Sequence, residues 1–393
     1  MVEKILVVDD EPDIELLVKS KFRKKIKDGE LEFIFASNGV EALAKVYEHA
    51  DLCVVLTDIN MPEMDGLTLL ANLQKIPRVI KSIVVSAYGD MSNIRSAMNL
   101  GAADFIMKPI DFQDLEITIN KIRKQCVDLQ EALETKSRLV VIEKELEIAC
   151  RLQQAMLPKG FMPMGEVNTF DLLGTMIPAK EVGGDFFDFF PLSKDKLGLV
   201  IADVSGKSIG AAFFMAITRT LIRAIAPRCS SPEEVMRNAN ALIAYENEAS
   251  MFVTAFYTIF DINTGELTYC NAGHNPPYII SSQGVCRRLS LPTGIALGIC
   301  EAEEAERKAP YRQQYDCLQK GDSLFLYTDG ITEAMNEQGQ LFGEKRLVEL
   351  LMSSTGKSIG EIFNLLLTEI ENFAGNTEQS DDQTLLCLRF LGT

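Results

Sequence analysis

Acidic, hydroxyl and basic side chains stand where four short apolar runs end near the start of the chain. Asp9 and Asp10 follow ILVV, Asp58 closes VVLTD, Ser86 closes SIVVS and Lys108 follows FIM. Because the carboxyl ends of parallel strands meet at one edge of a sheet, we expect these five side chains to lie together. Clustered carboxylates repel one another unless a cation joins them, and hard oxygen ligands suit Mg²⁺.

Such a cluster can accept a phosphoryl group. A carboxylate beside Mg²⁺ can attack a phosphoryl donor, and Asp58 is the candidate nucleophile. Lys108 and the metal would neutralise the transferred oxygens, and Ser86 would hydrogen-bond the group after transfer. A cis bond between Lys108 and Pro109 would aim the lysine. One aspartate at a strand end more often caps a helix or forms a turn, but the ordered set favours a phosphoryl site.

Residues 1–122 resemble the receiver domain of two-component response regulators through VVDDEP, LTDINMPEMDG, VVSAYGD and FIMKPI. The resemblance implies a flavodoxin-like α/β fold with a five-stranded parallel sheet, and phosphorylation of Asp58 by a partner sensor histidine kinase. It also implies one Mg²⁺, whose ligands would be Asp9, Asp10, Asp58 and the backbone carbonyl of Asn60. Ser86 and Phe105 match the two switch positions of the family.

A second set of aspartates is spread over the C-terminal region of the chain, each near the end of an apolar run and beside Gly, Ser or another Asp. The four motifs are EVGGDFFD (181–188), IADVSGKSIGAA (201–212), YTDGITEA (327–334) and QSDDQTLL (379–386). Carboxylates from distant segments, with glycines that allow close backbone approach, are what a binuclear oxygen-ligand metal site needs. Two such metals can share a hydroxide that attacks phosphorus in line. The alternative is that all four are turn-forming acids.

Other phosphate chemistries fit the sequence poorly. SGKSIG and STGKS invite comparison with a P-loop, but Ile201 and Leu351 stand where its first glycine is required. The sequence has no His–Cys pairing of the kind a cysteine phosphatase uses, and no strand–GxGxxG–helix kinase loop.

The four motifs resemble the PPM-type metal-dependent serine/threonine phosphatases, nearest to the bacterial SpoIIE/RsbU-like branch. The resemblance runs over residues 152–390 and includes RLQQAMLP, NAGHNPPYII and PTGIALGI. It implies an α+β sandwich of two antiparallel sheets flanked by helices, holding two Mn²⁺ or Mg²⁺ ions. The implied metal ligands are Asp185, Asp203, Asp329, Asp381 and the backbone carbonyl of Val204, with Asp203 bridging the ions.

Several roles stay open at this level. Asp382 adjoins Asp381, and the sequence separates the two poorly. Lys180 could assist phosphate binding, but a solvated lysine is the commoner case. His274 could protonate a leaving alkoxide, although a lone histidine in a Gly-His-Asn-Pro-Pro turn is more often structural. Gly206–Lys207 is expected to cap the helix that follows.

The apolar pattern predicts the elements that would position these residues. Strands at 4–8, 33–36, 52–57, 82–86 and 104–107 alternate with helices such as 13–26, 39–49 and 66–75, which is typical of a parallel sheet with helices on both faces. After Pro158 the pattern is α+β. The predicted strands are 170–177, 197–202, 252–260, 266–271, 277–281, 322–328 and 383–390, and the predicted helices are 208–226, 232–249, 344–353 and 359–373.

Between these regions lies a segment, residues 111–157, that contains no Gly or Pro. Its apolar residues are spaced alternately by four and three, first at Leu115, Ile119, Ile122, Cys126, Leu129 and Leu133 and again at Leu139, Ile142, Leu146 and Ala149. This spacing predicts a parallel coiled coil that makes the chain a homodimer, with a register slip near Lys136. The alternative is one amphipathic helix packed on its own domains. The predicted domains are a receiver at 1–122, a coiled-coil linker at 123–157 and a phosphatase at 158–393.

Composition restricts the class of protein. The net charge of −17 argues against a nucleic-acid binder, because phosphate backbones need Lys and Arg. Nine scattered cysteines without CxxC and only two histidines make a structural zinc site improbable and a reducing compartment the expectation. The N-terminal apolar run is too short for a signal peptide, and no membrane span is expected, so we expect a cytoplasmic protein.

The sequence therefore predicts a response regulator in which phosphorylated Asp58 controls a metal-dependent protein serine/threonine phosphatase. The residues expected to carry the chemistry are Asp58, Lys108, Ser86, Asp185 and Asp203. By analogy with the branch, the substrate would be a phosphorylated STAS-type anti-sigma-factor antagonist. The alternative is a phosphorylation-gated pseudophosphatase adaptor that binds a protein partner without catalysis, although such adaptors usually lose metal carboxylates and all four are present here.

Overall fold

The computed structural model describes residues 3–87, 90–158, 169–245, 247–292 and 294–392. The chain divides into two compact units, Met1–Ile142 and Glu143–Thr393. Residues 88–89 of the VVSAYGD motif and residue 293 of PTGIALGI lie outside the described residues.

The first unit contains a five-stranded parallel sheet with strand order β2-β1-β3-β4-β5. Its elements in chain order are β1 Glu3–Val8, α1 Asp13–Lys21, α2 Arg23–Lys27, β2 Leu31–Ala36, α3 Gly39–Glu48, β3 Val54–Asp58, α4 Gly66–Leu73, β4 Lys81–Ser86, α5 Met91–Asn99 and β5 Asp104–Met107. Successive residues of a strand face opposite sides of a sheet, and here both sides are buried. In β1, Ile5 and Val7 join one apolar cluster while Leu6 and Val8 join another. The predicted α/β fold class is confirmed.

A single helix, α6 (Phe112–Met156), follows the parallel sheet. The first four residues of the predicted coiled-coil seam are buried in the apolar core of the first unit: Leu115, Ile119, Ile122 and Cys126. For this stretch the coiled-coil interpretation is wrong, because a four-and-three spacing also fits a helix that packs on its own sheet. Further along, Leu133, Leu139 and Ile142 are each about half exposed. There, pairing with a second helix stays a prediction.

The second unit contains two antiparallel five-stranded sheets. The first sheet has the order β13-β10-β9-β8-β7, and the second sheet has the order β12-β11-β14-β15-β6. The strands are β6 Phe170–Ile177, β7 Phe186–Pro191, β8 Lys196–Val204, β9 Val253–Asp261, β10 Glu266–Ala272, β11 Tyr278–Ile280, β12 Cys286–Arg288, β13 Gln313–Cys317, β14 Ser323–Tyr327 and β15 Gln383–Phe390. The helices are α7 Ile209–Ile225, α8 Pro232–Ala244, α9 Ala302–Lys308, α10 Asp329–Thr332, α11 Gly343–Ser353 and α12 Ile359–Ala374, with a 3₁₀ turn at Ala226–Arg228.

Alternation along the central strands builds a layered sandwich. In β14, Leu324 and Leu326 join the core that the two sheets share, while Phe325 and Tyr327 point to the other face. That outer face packs against α11 and α12, whose buried residues belong to the same apolar cluster as Phe325. Helices α7 and α8 contribute to the core of the first sheet. The predicted sandwich of two antiparallel sheets with flanking helices is therefore confirmed.

By length and composition, one helical stretch of the described residues, Ile209–Arg228, could cross a membrane. In the structure it comprises α7 and the 3₁₀ turn that follows, and Met215 on it is fully buried in the core. Arg219 and Arg223 lie 3.0 and 2.7 Å from the carboxylate of Asp188, which is itself fully buried in β7. A buried charge of this kind is stable only when it is paired, so α7 is fixed on the first sheet by ion pairs as well as apolar contacts.

Candidate functional site

The carboxyl ends of β1 and β3 bring three acidic residues of the first unit together. Asp9, Asp10 and Asp58 each offer a carboxylate oxygen, and these oxygens lie within 4.8 Å of one another. Asp9 and Asp58 are buried while Asp10 is exposed. Burial raises the pKa of Asp9, although its hydrogen bonds oppose the shift. A compact all-oxygen donor set with an open side fits a hard divalent cation that keeps several waters.

Lys108, directly after β5, contacts this cluster with its side chain. Its ammonium lies 2.6 Å from Asp58, 3.2 Å from Asp9 and 3.0 Å from Glu11. Burial by itself would lower the pKa of Lys108, but hydrogen bonds to Asp58 and Glu11 outweigh it and raise the pKa above its usual value. The Lys108–Pro109 peptide bond is cis. Glu11 was not among the predicted site residues, although its position directly after Asp10 was a usable signal.

The loop after β3 is held close to Asp58. The Asp58 carboxylate accepts hydrogen bonds from the backbone N–H of Ile59 at 2.6 Å and of Asn60 at 3.4 Å. Gly66 packs directly on this strand end, since a Cβ there would lie 2.1 Å from the backbone oxygen of Asp58. The backbone of Asn60 therefore lies next to the cluster, and Gly66 is required for the loop to return so closely.

Ser86 and Phe105, the predicted switch pair, sit on neighbouring strands. Ser86 ends β4 and is 1% exposed, and its hydroxyl has no hydrogen-bond partner within the described part of the chain. A buried hydroxyl without a partner is costly, so this hydroxyl is available to a ligand oxygen placed beside it. Phe105 in β5 is 37% exposed.

In the second unit, strand pairing brings the four predicted carboxylates towards one edge. Asp185 precedes β7 and Asp203 lies near the end of β8, and β7 and β8 are antiparallel with Phe186 opposite Ala202. Asp329 follows β14 and Asp381 precedes β15, which are also antiparallel neighbours. Because the start of one antiparallel strand meets the end of its partner, each pair is collected at one end of its sheet.

The charges of these carboxylates act on one another. Burial and then the charge of Asp203 raise the pKa of Asp185 well above its usual value. Burial and the neighbouring Asp329 raise the pKa of Asp203 to about 7, and burial and Asp381 raise the pKa of Asp329. Like charges crowded together in a partly buried place favour a cation there. No three of them approach as closely as the carboxylates of the first unit do, among the residues that the structure describes.

Two threonines that the sequence analysis missed fix the orientation of Asp185. Thr328, directly after β14, donates a hydrogen bond to Asp185 at 2.6 Å, and Thr384 in β15 donates another to the same oxygen at 2.7 Å. Both hydroxyls belong to the motifs that carry the acids, YTDGITEA and QSDDQTLL. The second carboxylate oxygen of Asp185 accepts from neither threonine.

The structure gives Asp381 and Asp382 different surroundings. Asp382 is buried and accepts hydrogen bonds from the backbone N–H of Ala179 at 2.8 Å, of Gly184 at 2.6 Å and of Asp185 at 3.3 Å. Asp381 is partly exposed and lies 2.7 Å from the ammonium of Lys207. The oxygens of Asp382 are therefore used to hold the backbone of two other segments. The carboxylate of Asp381 accepts one local hydrogen bond on Oδ1, from the backbone N–H of Asp382 at 2.9 Å, and its Oδ2 faces Lys207.

Lys207 does not have the role that the sequence suggested. The cap of α7 is Ser208, whose hydroxyl accepts from the backbone N–H of Ala211. Lys207 instead reaches across to Asp381 and to the backbone oxygen of Ser380. The capping expectation for Gly206–Lys207 is thus wrong, because the lysine side chain is drawn to the negative charge of the site.

Glycines let the backbone approach closely around Asp185. A Cβ on Gly184 would lie 2.9 Å from the backbone oxygen of Val204, and one on Gly330 would lie 2.0 Å from that of Asp382. The carbonyl of Val204 therefore stands beside the segment that carries Asp185, as a carbonyl ligand would require. Lys180, by contrast, is an exposed residue.

His274 is buried and hydrogen-bonded through both ring nitrogens. Nε2 lies 3.2 Å from the carbonyl of Tyr327 and Nδ1 lies 2.9 Å from the hydroxyl of Thr254. A carbonyl only accepts, so Nε2 carries the proton and Nδ1 accepts from the hydroxyl. Burial lowers the pKa of His274 to about 4. A neutral ring fixed on both sides supports the structural role rather than proton donation to a leaving group.

Residues 193–391, about half of the chain, match the protein family described as Stage II sporulation protein E (SpoIIE). The chain belongs to the SpoIIE family. In this SpoIIE-family protein, residues 5–120 also match the response regulator receiver domain. It therefore has a receiver domain followed by a PPM-type phosphatase domain.

Individual relatives agree with that assignment. This SpoIIE-family chain is 31% identical over 251 residues to the phosphoserine phosphatase RsbU of Bacillus subtilis, covering 63% of the chain and 70% of RsbU. It is 30% identical over 271 residues to Protein IcfG of Synechocystis sp., covering 62% of the chain but only 41% of IcfG. The SiaA-PP2C domain of Pseudomonas aeruginosa superposes with a TM-score of 0.55 at 22% identity, over 64% of the chain and 98% of that domain. The likeness to the SiaA-PP2C domain shows a shared fold.

Proposed function

We propose that this chain is a cytoplasmic response regulator in which phosphorylation of Asp58 controls metal-dependent hydrolysis of phosphoserine or phosphothreonine by the second unit. The observation that carries the proposal is the convergence of Asp185, Asp203, Asp329 and Asp381 from separate strands, with raised pKa values on the first three. Membership of the SpoIIE family and the likeness to RsbU, itself a phosphoserine phosphatase, support it.

In the first unit the chain's own groups are suited to phosphoryl transfer onto Asp58. Asp9, Asp10, Asp58 and the carbonyl of Asn60 would hold one Mg²⁺, which would neutralise charge on the transferred group. The Asp58 carboxylate attacks the phosphorus of a phosphohistidine on the partner histidine kinase. An O–P bond forms, the P–N bond breaks, and the imidazole nitrogen keeps the electron pair. Lys108 lies 2.6 Å from Asp58 and stabilises the added oxygens. The unpartnered hydroxyl of Ser86 then binds one of them.

In the second unit the residues are suited to holding water and phosphate rather than to attacking phosphorus. Asp185, Asp203, Asp329, Asp381 and the carbonyl of Val204 would hold two Mn²⁺ or Mg²⁺ ions. Bound there, the ions supply a hydroxide nucleophile and neutralise the phosphate oxygens. Thr328 and Thr384 keep Asp185 oriented by two hydrogen bonds. Lys207 is paired with Asp381, and a cation bound to that carboxylate would compete with this ion pair.

We further propose the division into a receiver over 1–122, a linker over 123–157 and a phosphatase over 158–393. The exposed apolar residues of α6 beyond Cys126, among them Leu133 and Leu139, would form a homodimeric coiled coil. The substrate we propose is a phosphorylated protein of the STAS type that antagonises an anti-sigma factor.

The test is hydrolysis of p-nitrophenyl phosphate and of a phosphorylated STAS protein in the presence of Mn²⁺. We expect turnover by the wild type, loss of turnover in Asp203→Asn, and no change in Asp171→Asn, a matched substitution of an exposed aspartate in β6. A wild type that turns over neither substrate, with Asp58 phosphorylated or not, would contradict the enzyme assignment and favour the pseudophosphatase adaptor.

A further inference from the structure

The C-terminal end of α6 is hydrogen-bonded to the segment that carries Asp185. The side chain of Gln153 is buried, and its Nε2 donates to the backbone oxygen of Gly183 at 2.6 Å. The backbone N–H of Gly183 donates back to Oε1 of Gln153 at 3.0 Å. One amide side chain thus satisfies both the donor and the acceptor of a single backbone residue, two positions before Asp185.

The other side of this segment is held by Asp382. Its carboxylate accepts from the N–H groups of Gly184 and Asp185. A Cβ on Gly183 would lie 2.5 Å from that same carboxylate, so the backbone is packed tightly between Gln153 and Asp382. The position of residues Gly183–Asp185 is therefore fixed by Gln153 of α6 on one side and by Asp382, directly before β15, on the other.

A small rotation of α6 would break the two hydrogen bonds between Gln153 and Gly183. Side-chain atoms lie roughly 5–6 Å from the axis of an α-helix, so a rotation of about 20° displaces them by about 2 Å. Hydrogen bonds with N···O distances near 3 Å do not survive a displacement of about that size. A rotation of α6 would then leave the N–H and C=O of Gly183 without partners in a buried place, which is unfavourable unless the segment moves with the helix.

We propose that Gln153 is a positioning residue through which α6 sets the place of Asp185, so that metal binding in the second unit depends on how α6 is seated. This rests on the proposed function and adds to it the physical link between the linker helix and the metal ligands. Gln153 does not touch the substrate. It acts through Gly183, in the way that groups outside the ligand sphere orient metal ligands elsewhere.

The test uses the full chain and three variants. Gln153→Met keeps the length and volume of the side chain but removes both hydrogen bonds. Gln153→Glu retains an acceptor for the N–H of Gly183 and loses the donor to its carbonyl. Gln154→Met is the matched control, because Gln154 is the exposed neighbour on the same helix. Mn²⁺ binding is measured by isothermal titration, and kcat and KM for p-nitrophenyl phosphate are measured at saturating Mn²⁺, with circular dichroism as the check of folding.

We expect Gln153→Met to weaken Mn²⁺ binding by about 10-fold or more, and Gln153→Glu to weaken it less, while Gln154→Met binds as the wild type does. For the Gln153 variants we expect a lower kcat with little change in KM. A folded Gln153→Met protein that binds Mn²⁺ within about twofold of the wild type would overturn the proposal. That result is expected if Gln153 only stabilises the packing of α6 and does not position Asp185. If Gln153→Met does not fold, Gln153→Glu is judged by the same criterion. Because binding is measured without turnover, an inactive wild type would refute the proposed function and still leave the role of Gln153 decidable.

Discussion

Replacing each of the adjacent residues Asp381 and Asp382 by asparagine should separate metal binding from stability. In the structure Asp382 is a buried acceptor for three backbone N–H groups, whereas Asp381 is a partly exposed partner of Lys207. The two substitutions are chemically identical and differ by one position in the chain. Any difference between them must therefore come from what each carboxylate contacts.

The magnitudes follow from those contacts. In Asp382→Asn one amide oxygen can still accept from Gly184, but the amide nitrogen then faces the N–H of Ala179, whose acceptor is lost. Losing a charge-assisted hydrogen bond and leaving a buried N–H unpaired costs about 2–3 kcal/mol of unfolding free energy. In Asp381→Asn the amide oxygen can still accept from the backbone N–H of Asp382, so the loss is that of a partly exposed ion pair with Lys207, which is worth less than about 1 kcal/mol. Removing that charge also relieves its repulsion of Asp329.

The assays are urea unfolding without metal, followed by circular dichroism, and Mn²⁺ titration of the folded protein. We expect Asp382→Asn to lower the urea midpoint clearly, and Asp381→Asn to leave it nearly unchanged while abolishing one Mn²⁺ binding event. Asp171→Asn serves as the exposed control for both measurements. The reasoning is refuted if Asp381→Asn binds Mn²⁺ normally, or if Asp382→Asn unfolds at the wild-type midpoint.

Three further predictions concern other parts of the molecule. Because the ammonium of Lys108 contacts Asp58, Lys108→Ala should slow phosphorylation by a small phosphodonor such as acetyl phosphate, followed by phosphate-affinity electrophoresis, and a wild-type rate would argue against its role. The pKa of His274 is lowered to about 4 in the fold, so between about pH 6.5 and 4 the unfolded chain binds the extra proton and stability falls as the pH falls, by up to about 3 kcal/mol. His274→Gln should flatten that slope in urea titrations at several pH values, and an unchanged slope would exclude His274 as its source. The double variant Leu133→Glu, Leu139→Glu should sediment as a monomer where the wild type is a dimer. Leu16→Glu on α1 is the exposed control. A double variant that still sediments as a dimer would exclude α6 as the dimer contact.

Much of the architecture followed from local pattern. Strands β6 and β15 have the predicted bounds, 170–177 and 383–390, because alternating or continuous apolar runs between turn residues decide strands locally. Strand β7 was not predicted, since FFDFFP reads as an apolar run broken by a charge. Only the fold supplies Arg219 and Arg223, which let Asp188 be buried inside that strand.

The sequence by itself determined which residues could do chemistry. Asp9, Asp10, Asp58 and Lys108 stand at strand ends whatever the details of packing, and a parallel sheet collects such ends at one edge. The same reasoning named the four aspartates of the second unit, because each stands in its own motif beside Gly, Ser or another Asp.

Only the tertiary structure decided the contacts between segments far apart in the chain. Thr384 and Asp185 are 199 residues apart and meet only through the pairing of strands, and Gln153 meets Gly183 only because α6 ends against that segment. The apolar residues of α6 have the same spacing whether the helix packs on its own sheet or on a second helix. Periodicity therefore could not distinguish sheet packing from a coiled coil for Leu115 to Cys126. Local patterns fix which side chains face together along one element, whereas the partner each one meets depends on sheet register and packing, which no local pattern contains.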